Sequence, residues 1–256
     1  MTSGLTLSNL PAVIGHRGAA ALAPENTISG FRAARDAGVS WVEFDVRLAG
    51  GGRCVLLHDE TVDRTTDGRG RAADLGIEAL RKLDAGSWFA PRFAGEPVPT
   101  FEDALDAILG LGLGANIEIK AAPGAAAAET GRAVARIAAA RWPAHLLPPL
   151  LSSFSEDALA AARDAAPELP RGILFEAVPP DWRRRADRLG CISVHADHRR
   201  IHSSLVDEII AAGFPILTYT VNDTHTATRL REWGISSIIT DHPDRLAPIA
   251  AAGTRI

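Results

Sequence analysis

Cysteine is nearly absent from this chain. Cys54 and Cys191 are the two thiols in 256 residues, far apart and without metal-type spacing. That excludes a disulfide-stapled scaffold and a Cys-x-x-Cys zinc site, and leaves free, buried or half-buried thiols as the expectation. Long apolar runs are missing too: no window approaches the ~20 residues that a membrane helix requires, so no stable membrane insertion is expected. Residues 1–11 carry neither a basic nor an apolar stretch of the secretory kind, which points to a cytoplasmic protein. Positive charge is not in excess. With 27 Lys and Arg against 31 Asp and Glu, the net charge is -4 and the pI is near 6.1. The chain therefore has no electrostatic footprint for nucleic acid, and an anionic small molecule must meet its positive charge locally.

What is present suits one large globular domain spanning residues 1–256, at 46% hydrophobic and 23% charged. Short β-branched or apolar runs alternate with helical stretches. Eight such runs lie near residues 12–15, 41–46, 115–119, 150–153, 171–175, 191–194, 215–220 and 237–240. A ninth, 53–57, follows a glycine turn and extends the second as a hairpin. Helix signals fall between them: a stop at Gly38, a capping box from Thr100 to Asp103, and caps at Ser155 and Asp223. Eight strand-helix units in this length predict an α/β fold, a (β/α)8 TIM barrel with a small insertion after the second strand unit. An open, doubly wound sheet is the alternative. The insertion, about residues 59–100, carries Trp88, Phe89 and Phe93, and reads equally as a lid or as a packed excursion with its own core. The alanine-rich stretch 121–140 reads as a surface helix.

Acidic residues stand out within the strands. In Trp41-Val42-Glu43-Phe44-Asp45-Val46 and in Asn116-Ile117-Glu118-Ile119-Lys120 polar and apolar residues alternate, so Glu43 and Asp45 share one face and Glu118 and Lys120 another. If these faces converge, three carboxylates about 4 Å apart repel by roughly 4 kcal/mol per pair at an effective dielectric of about 20. The sum, ~12 kcal/mol, rivals a whole domain's stability of about 5–15 kcal/mol. A divalent cation or protonation is then required, and ligand chemistry admits Mg²⁺, Ca²⁺ or Mn²⁺. Gly15-His16-Arg17-Gly18 ends the first predicted strand, and Leu57-His58-Asp59 ends the hairpin strand. Two histidines beside a metal supply the proton acceptor and the proton donor that cleavage of a phosphate ester needs. Arg17 is suited to clamp a phosphate and Lys120 to neutralise a developing oxyanion. Each element alone has a blander reading: an exposed strand face, a surface ion pair, a turn. Their concentration at the ends of the first three strands and the hairpin argues for a site.

These same residues carry a resemblance. The chain resembles the glycerophosphodiester phosphodiesterase family through His16-Arg17-Gly18, Pro24-Glu25-Asn26-Thr27, Glu43-Phe44-Asp45-Val46, His58-Asp59, Glu118-Ile119-Lys120, Thr220-Val221-Asn222 and Ile239-Thr240-Asp241, in order and spacing over about residues 12–246. The resemblance implies a barrel in which Glu43, Asp45 and Glu118 bind one divalent ion, His16 and His58 act as acid and base, and Arg17 and Lys120 hold the phosphate. It implies a small-molecule glycerophosphodiester as substrate, cleaved through a cyclic phosphate to sn-glycerol 3-phosphate and an alcohol. Tyr219 stands where many members carry Trp, and is expected to pack against the glycerol part. Asn26 is expected to cap the first helix and Glu25 to orient Arg17. His195, His198, His202, His225 and His242 match no family role and are expected at surfaces or in loops. Two other readings remain: a lysophospholipase-D-like enzyme using the Trp88-Phe89 insertion as an acyl groove, and a non-catalytic phosphate-binding barrel.

Overall fold

The computed structural model describes residues 9–121 and 125–252. In chain order the elements are β1 (Val13–Gly15), α1 (Ile28–Asp36), β2 (Trp41–Leu48), β3 (Cys54–Leu56), α2 (Ile77–Leu80), α3 (Phe101–Gly110), β4 (Gly114–Ile119), α4 (Ala125–Arg141), β5 (Leu150–Ser153), α5 (Glu156–Ala165), β6 (Arg171–Phe175), α6 (Trp182–Leu189), β7 (Ser193–Asp197), α7 (Ser203–Ala211), β8 (Ile216–Tyr219), α8 (Thr224–Glu232), β9 (Ser237–Thr240) and α9 (Pro243–Ala252). Eight strands run parallel in the order β1-β9-β8-β7-β6-β5-β4-β2, and β1 pairs β2 to close the ring. The (β/α)8 barrel is therefore present, and closure rules out the open sheet. The extra strand β3 runs antiparallel to β2, as the hairpin reading predicts.

Strand alternation sorts the residues into two cores. Val42, Phe44 and Val46 face outward into the shell between strands and helices, together with Ile117, Val194 and Ile238. Ile14, Trp41, Leu150, Leu217 and Ile239 form a smaller cluster inside the barrel. In the shell Phe44 packs between Phe31 and Phe101, with ring centroids 5.3 and 6.2 Å away. Helix caps follow the expected chemistry at Ser155, Asp223 and in the Thr100–Asp103 capping box. The first helix differs: Thr27, not Asn26, is its cap, its hydroxyl accepting from the Gly30 amide at 3.1 Å. Asn26 is unavailable because its side-chain amide is committed to Asp45.

Three further expectations need correction. The seventh strand starts at Ser193 rather than 191 and runs on to Asp197, because the polar residues His195 and Asp197 point into the barrel and hide the strand's second half from an apolar pattern. His195 is consequently fully buried within a strand, not at a surface or in a loop. The alanine-rich helix begins, as described, at Ala125, residues 122–124 lying outside the described residues. It is more than a surface element, since Val134, Ala135 and Ala138 are buried in the shell.

Within the insertion, Val62, Leu80, Ala85 and Val98 close a separate cluster with Val55 and Leu57 of the hairpin. Asp84 ties its turns together by accepting from the amides of Gly86, Ser87 and Gly95. Glu96 anchors it to α1 through the Ser29 amide and hydroxyl at 2.9 and 2.7 Å. The core that the packed-excursion reading expects is present. Both cysteines are free and buried, and burial pushes each thiol up to about 12. No helix among the described residues is long and apolar enough to cross a membrane. Replacing Phe101 by Ala removes one ring of the buried trio, and should cost about 3–5 kcal/mol in urea unfolding; a loss below about 1 kcal/mol would show that the shell does not depend on that packing.

Candidate active site

The register of β2 on β4 places Asp45 beside Glu118 and Glu43 beside Asn116. One carboxylate oxygen from each of Glu43, Asp45 and Glu118 lies within 4.8 Å of the others, and all three residues are buried. Two cations share this space. Lys120 Nζ lies 2.5 Å from Glu118 Oε1 and 3.2 Å from Asp45 Oδ1, while Arg17 Nε lies 3.2 Å from Asp45 Oδ2. Burial disfavours the charged form of Asp45, but Lys120, Arg17, His58 and the Asn26 amide together hold it well below the usual range. Glu43 shifts the other way: burial, then the charges of Asp45 and Glu118, push it up. Glu118 also rises, by burial first and by Asp45, against the pull of Lys120.

Glu43 is the member with neither lysine nor arginine side chain in contact. Its Oε2 accepts from the Arg17 backbone amide at 3.0 Å, and its buried Oε1 has no partner. An all-oxygen donor set with an unpartnered buried oxygen fits a hard divalent cation, so the residues present are suited to one.

The loop after β1 brings the first histidine in. A Cβ on Gly15 would lie 2.0 Å from the Gly18 carbonyl oxygen, and Gly18 has a φ of 89°, so only glycines permit this tight return. Arg17 and Asn26 also hold positive φ, at 49° and 55°. His16 Nδ1 donates to Asp241 Oδ1 at 2.6 Å, and its Nε2 lies 3.9 Å from Glu43. Burial opposes charge on this ring, yet the Asp241 hydrogen bond and the Glu43 charge outweigh it and raise its pKa. His58 follows β3, its Nδ1 donating to Asp59 Oδ1 at 2.7 Å. Burial, together with the charges of Lys120 and Arg17, outweighs Asp45 and Asp59 and lowers its pKa. The two imidazoles are thus biased toward opposite protonation states.

Glu25 accepts from Arg17 Nη1 at 2.7 Å, which orients the guanidinium. Tyr219 sits half-buried at the end of β8. Its hydroxyl donates to the Phe175 carbonyl at 2.8 Å, and its ring meets Phe154 edge-on at 6.0 Å. Phe154 also lies 5.8 Å beneath the Lys120 ammonium. A cavity of about 200 Å³ opens beside Lys120, walled by Arg47, Glu60, Arg71 and Glu129. His225 is exposed, His202 caps α7, and the half-buried His198 donates to the Tyr219 carbonyl at 3.2 Å; none enters the cluster. Burial pushes His195 down to about 3, so it is neutral, 3.0 Å from Ser193 Oγ.

Sequence reading missed Asp241 as the partner of His16 and Asn222 as the residue that holds Asp241, donating at 2.7 Å and accepting its amide at 2.9 Å. Both lie in motifs noted above, but nothing in a linear pattern pairs positions 225 residues apart. Arg47 was missed as well. It donates twice to the His58 carbonyl, at 2.9 and 2.6 Å, and its place on the Glu43–Asp45 face was the available signal.

A model of the glycerophosphoryl diester phosphodiesterase family matches residues 16–245. The chain is similar to a glycerophosphodiester phosphodiesterase of Caldanaerobacter subterraneus subsp. tengcongensis, 33% identical, the match covering 94% of this chain and 98% of that one. It is similar to a glycerophosphodiester phosphodiesterase of Bacillus subtilis at 29% identity, covering 90% of this chain and 83% of that one. Among solved structures it is similar to a phosphodiesterase of Oleispira antarctica in complex with the product sn-glycerol-3-phosphate, with a TM-score of 0.92 and 36% identity, covering 97% of this chain and 100% of that one.

The His16–Asp241 pair gives a pH-dependent stability. A histidine raised above 6.5 stabilises fully below that value and loses the contribution as pH rises through its folded pKa, whereas an aspartate lowered below 3.8 loses its contribution on acidification. Asp241→Asn should therefore cost most at about pH 5 and progressively less toward about pH 9 in chemical denaturation. A cost that does not vary with pH would contradict the pairing.

Proposed function

Because this chain belongs to the glycerophosphoryl diester phosphodiesterase family, we propose that it hydrolyses glycerophosphodiesters, releasing sn-glycerol 3-phosphate and an alcohol. The observation that carries this reading is the placing of two histidines, each hydrogen-bonded through Nδ1 to an aspartate, around a buried trio of carboxylates in the barrel. His58, biased toward neutrality, is the base: it takes the proton from the glycerol hydroxyl beside the phosphate as that oxygen bonds to phosphorus. His16, held protonated by Asp241, is the acid: it gives its proton to the departing alcohol oxygen as the second P–O bond breaks. The cyclic phosphate so formed is opened by water, with His16 now the base and His58 the acid, and both return to their starting states.

A nucleophile already attached to the substrate removes much of the entropic cost of the first step. Arg17, steadied by Glu25, clamps the phosphate oxygens, and Lys120 adds a point charge. Glu43, Asp45 and Glu118 are the residues that would hold a divalent cation, which supplies charge neutralisation between the attacking hydroxyl and the anionic diester. Tyr219, its hydroxyl tied to Phe175, presents a fixed flat face for the glycerol carbons.

Release of glycerol 3-phosphate from glycerophosphocholine tests the reading. His16→Ala and His58→Ala should each reduce turnover by about 10²–10⁴-fold while leaving the unfolding transition in place. Chelation by EDTA should abolish activity and an added divalent ion restore it; full activity in metal-stripped protein would refute the cation assignment. Faster cleavage of a lysophospholipid than of water-soluble diesters would instead favour the lipid-directed alternative.

A further inference from the structure

His58 and Arg17, which reach the site from different loops, are joined by an unbroken series of hydrogen bonds through charged side chains. His58 donates to Asp59 at 2.7 Å, and Asp59 accepts from Arg64 Nε and Nη2 at 2.7 and 3.2 Å. Arg64 Nη1 and Nη2 then donate to the two oxygens of Glu25, each at 2.8 Å, and Glu25 accepts from Arg17 at 2.7 Å. We infer that Arg64 is a positioning residue: it sets the His58 imidazole and the Arg17 guanidinium in register with each other across the substrate, without touching substrate itself. The inference rests on the roles proposed above for those two groups.

The chemistry of the tie requires arginine. A planar fork with five donors can grip two carboxylates at once, which a lysine ammonium cannot do with fixed orientation. The turn that carries Arg64 is rigid for its own reasons. Val62 is buried in the insertion's core, the Thr66 hydroxyl donates to the Val62 carbonyl at 2.8 Å, and the Gly68 amide donates back to Thr66 Oγ1 at 3.0 Å. The insertion thus delivers a guanidinium to the carboxylates of Asp59 and Glu25. Arg47 holds the His58 carbonyl and so fixes its backbone, but the direction of the ring is left to Asp59. Arg64 itself is 45% exposed, and an exposed ion pair adds little to folding stability. Its loss should therefore be felt in orientation rather than in stability.

A double-mutant cycle tests the tie. Glu25→Gln and Asp59→Asn are measured singly and together, in the native chain and in an Arg64→Ala background, on glycerophosphocholine. With Arg64 present, the combined effect on kcat/KM should depart from the product of the single effects by about fivefold or more; with Arg64→Ala, by less than about twofold. Arg64→Ala alone should lower kcat/KM by about tenfold to a hundredfold, Arg64→Lys should recover little of it, and added guanidinium should restore activity to the Ala variant and not to the Lys variant. Should Arg64→Ala fail to fold, Arg64→Lys takes its place in the cycle. The ¹⁵N signals of the His58 ring read the same tie without turnover: they should change on Arg64 substitution, while those of the buried His195 stay in place. Equal non-additivity in both backgrounds, or unchanged His58 signals, overturns the inference. Absence of glycerol 3-phosphate release by the native chain would overturn the functional reading instead, with the His58 signals still deciding the tie.

Discussion

Three carboxylates in one buried space set the terms for the rest of this molecule. At about 4 Å and an effective dielectric of about 20, each pair repels by roughly 4 kcal/mol, and a contact between opposite charges returns a similar amount. Three short cation–anion contacts are present: Lys120 with Glu118, Lys120 with Asp45, and Arg17 with Asp45. They offset most of the repulsion, so the demand for an added cation is narrower than the acidic residues alone suggest. It falls on Glu43, whose pKa is raised and whose Oε1 is buried without a partner. Five charged side chains behave as one unit; its charges add to the Asp241 hydrogen bond that raises His16 and to the burial that lowers His58.

The barrel makes that unit possible by keeping neighbouring strands in phase. Pairing Asp45 with Glu118 puts two acids side by side on the inner face, while Phe44 and Ile117, one residue back, are driven into the outer shell. A register slip of one residue would expose the acids to the helices and the phenylalanine to the site. The loop after β1 completes the arrangement at a local cost. Arg17 and Asn26 both hold left-handed backbone, about 1–3 kcal/mol each for residues other than glycine. Both are kept there by contacts to the acids, the Arg17 amide on Glu43 and the Asn26 side chain on Asp45. Strain and carboxylates therefore sit together, and each accounts for the other.

Much of this was legible in the linear chain because it is written in period-two alternation. Glu43, Asp45, Glu118 and Lys120 declare their faces through the apolar residues between them, while the eight strands show as short β-branched or apolar runs between helical stretches. The hidden parts share a different character. His195 was misplaced because polar residues inside a barrel defeat a pattern that equates polar with exposed. Asn26 was read as a cap since Asn commonly caps helices; its true partner, Asp45, lies across the fold. The same holds for Asp241 beside His16, and for Arg64 between Asp59 and Glu25. Those pairings depend on closure of the ring and on the packing of the insertion, and no local propensity records either one.

The account's central claim is that Glu43, Asp45 and Glu118 form the seat of one divalent cation. Anomalous diffraction from crystals soaked in Mn²⁺ measures this directly. The account predicts one strong anomalous peak in contact with carboxylate oxygens of all three residues, lost in crystals of Glu43→Gln. No peak among these side chains at saturating Mn²⁺, or a peak seated elsewhere in the chain, would contradict it.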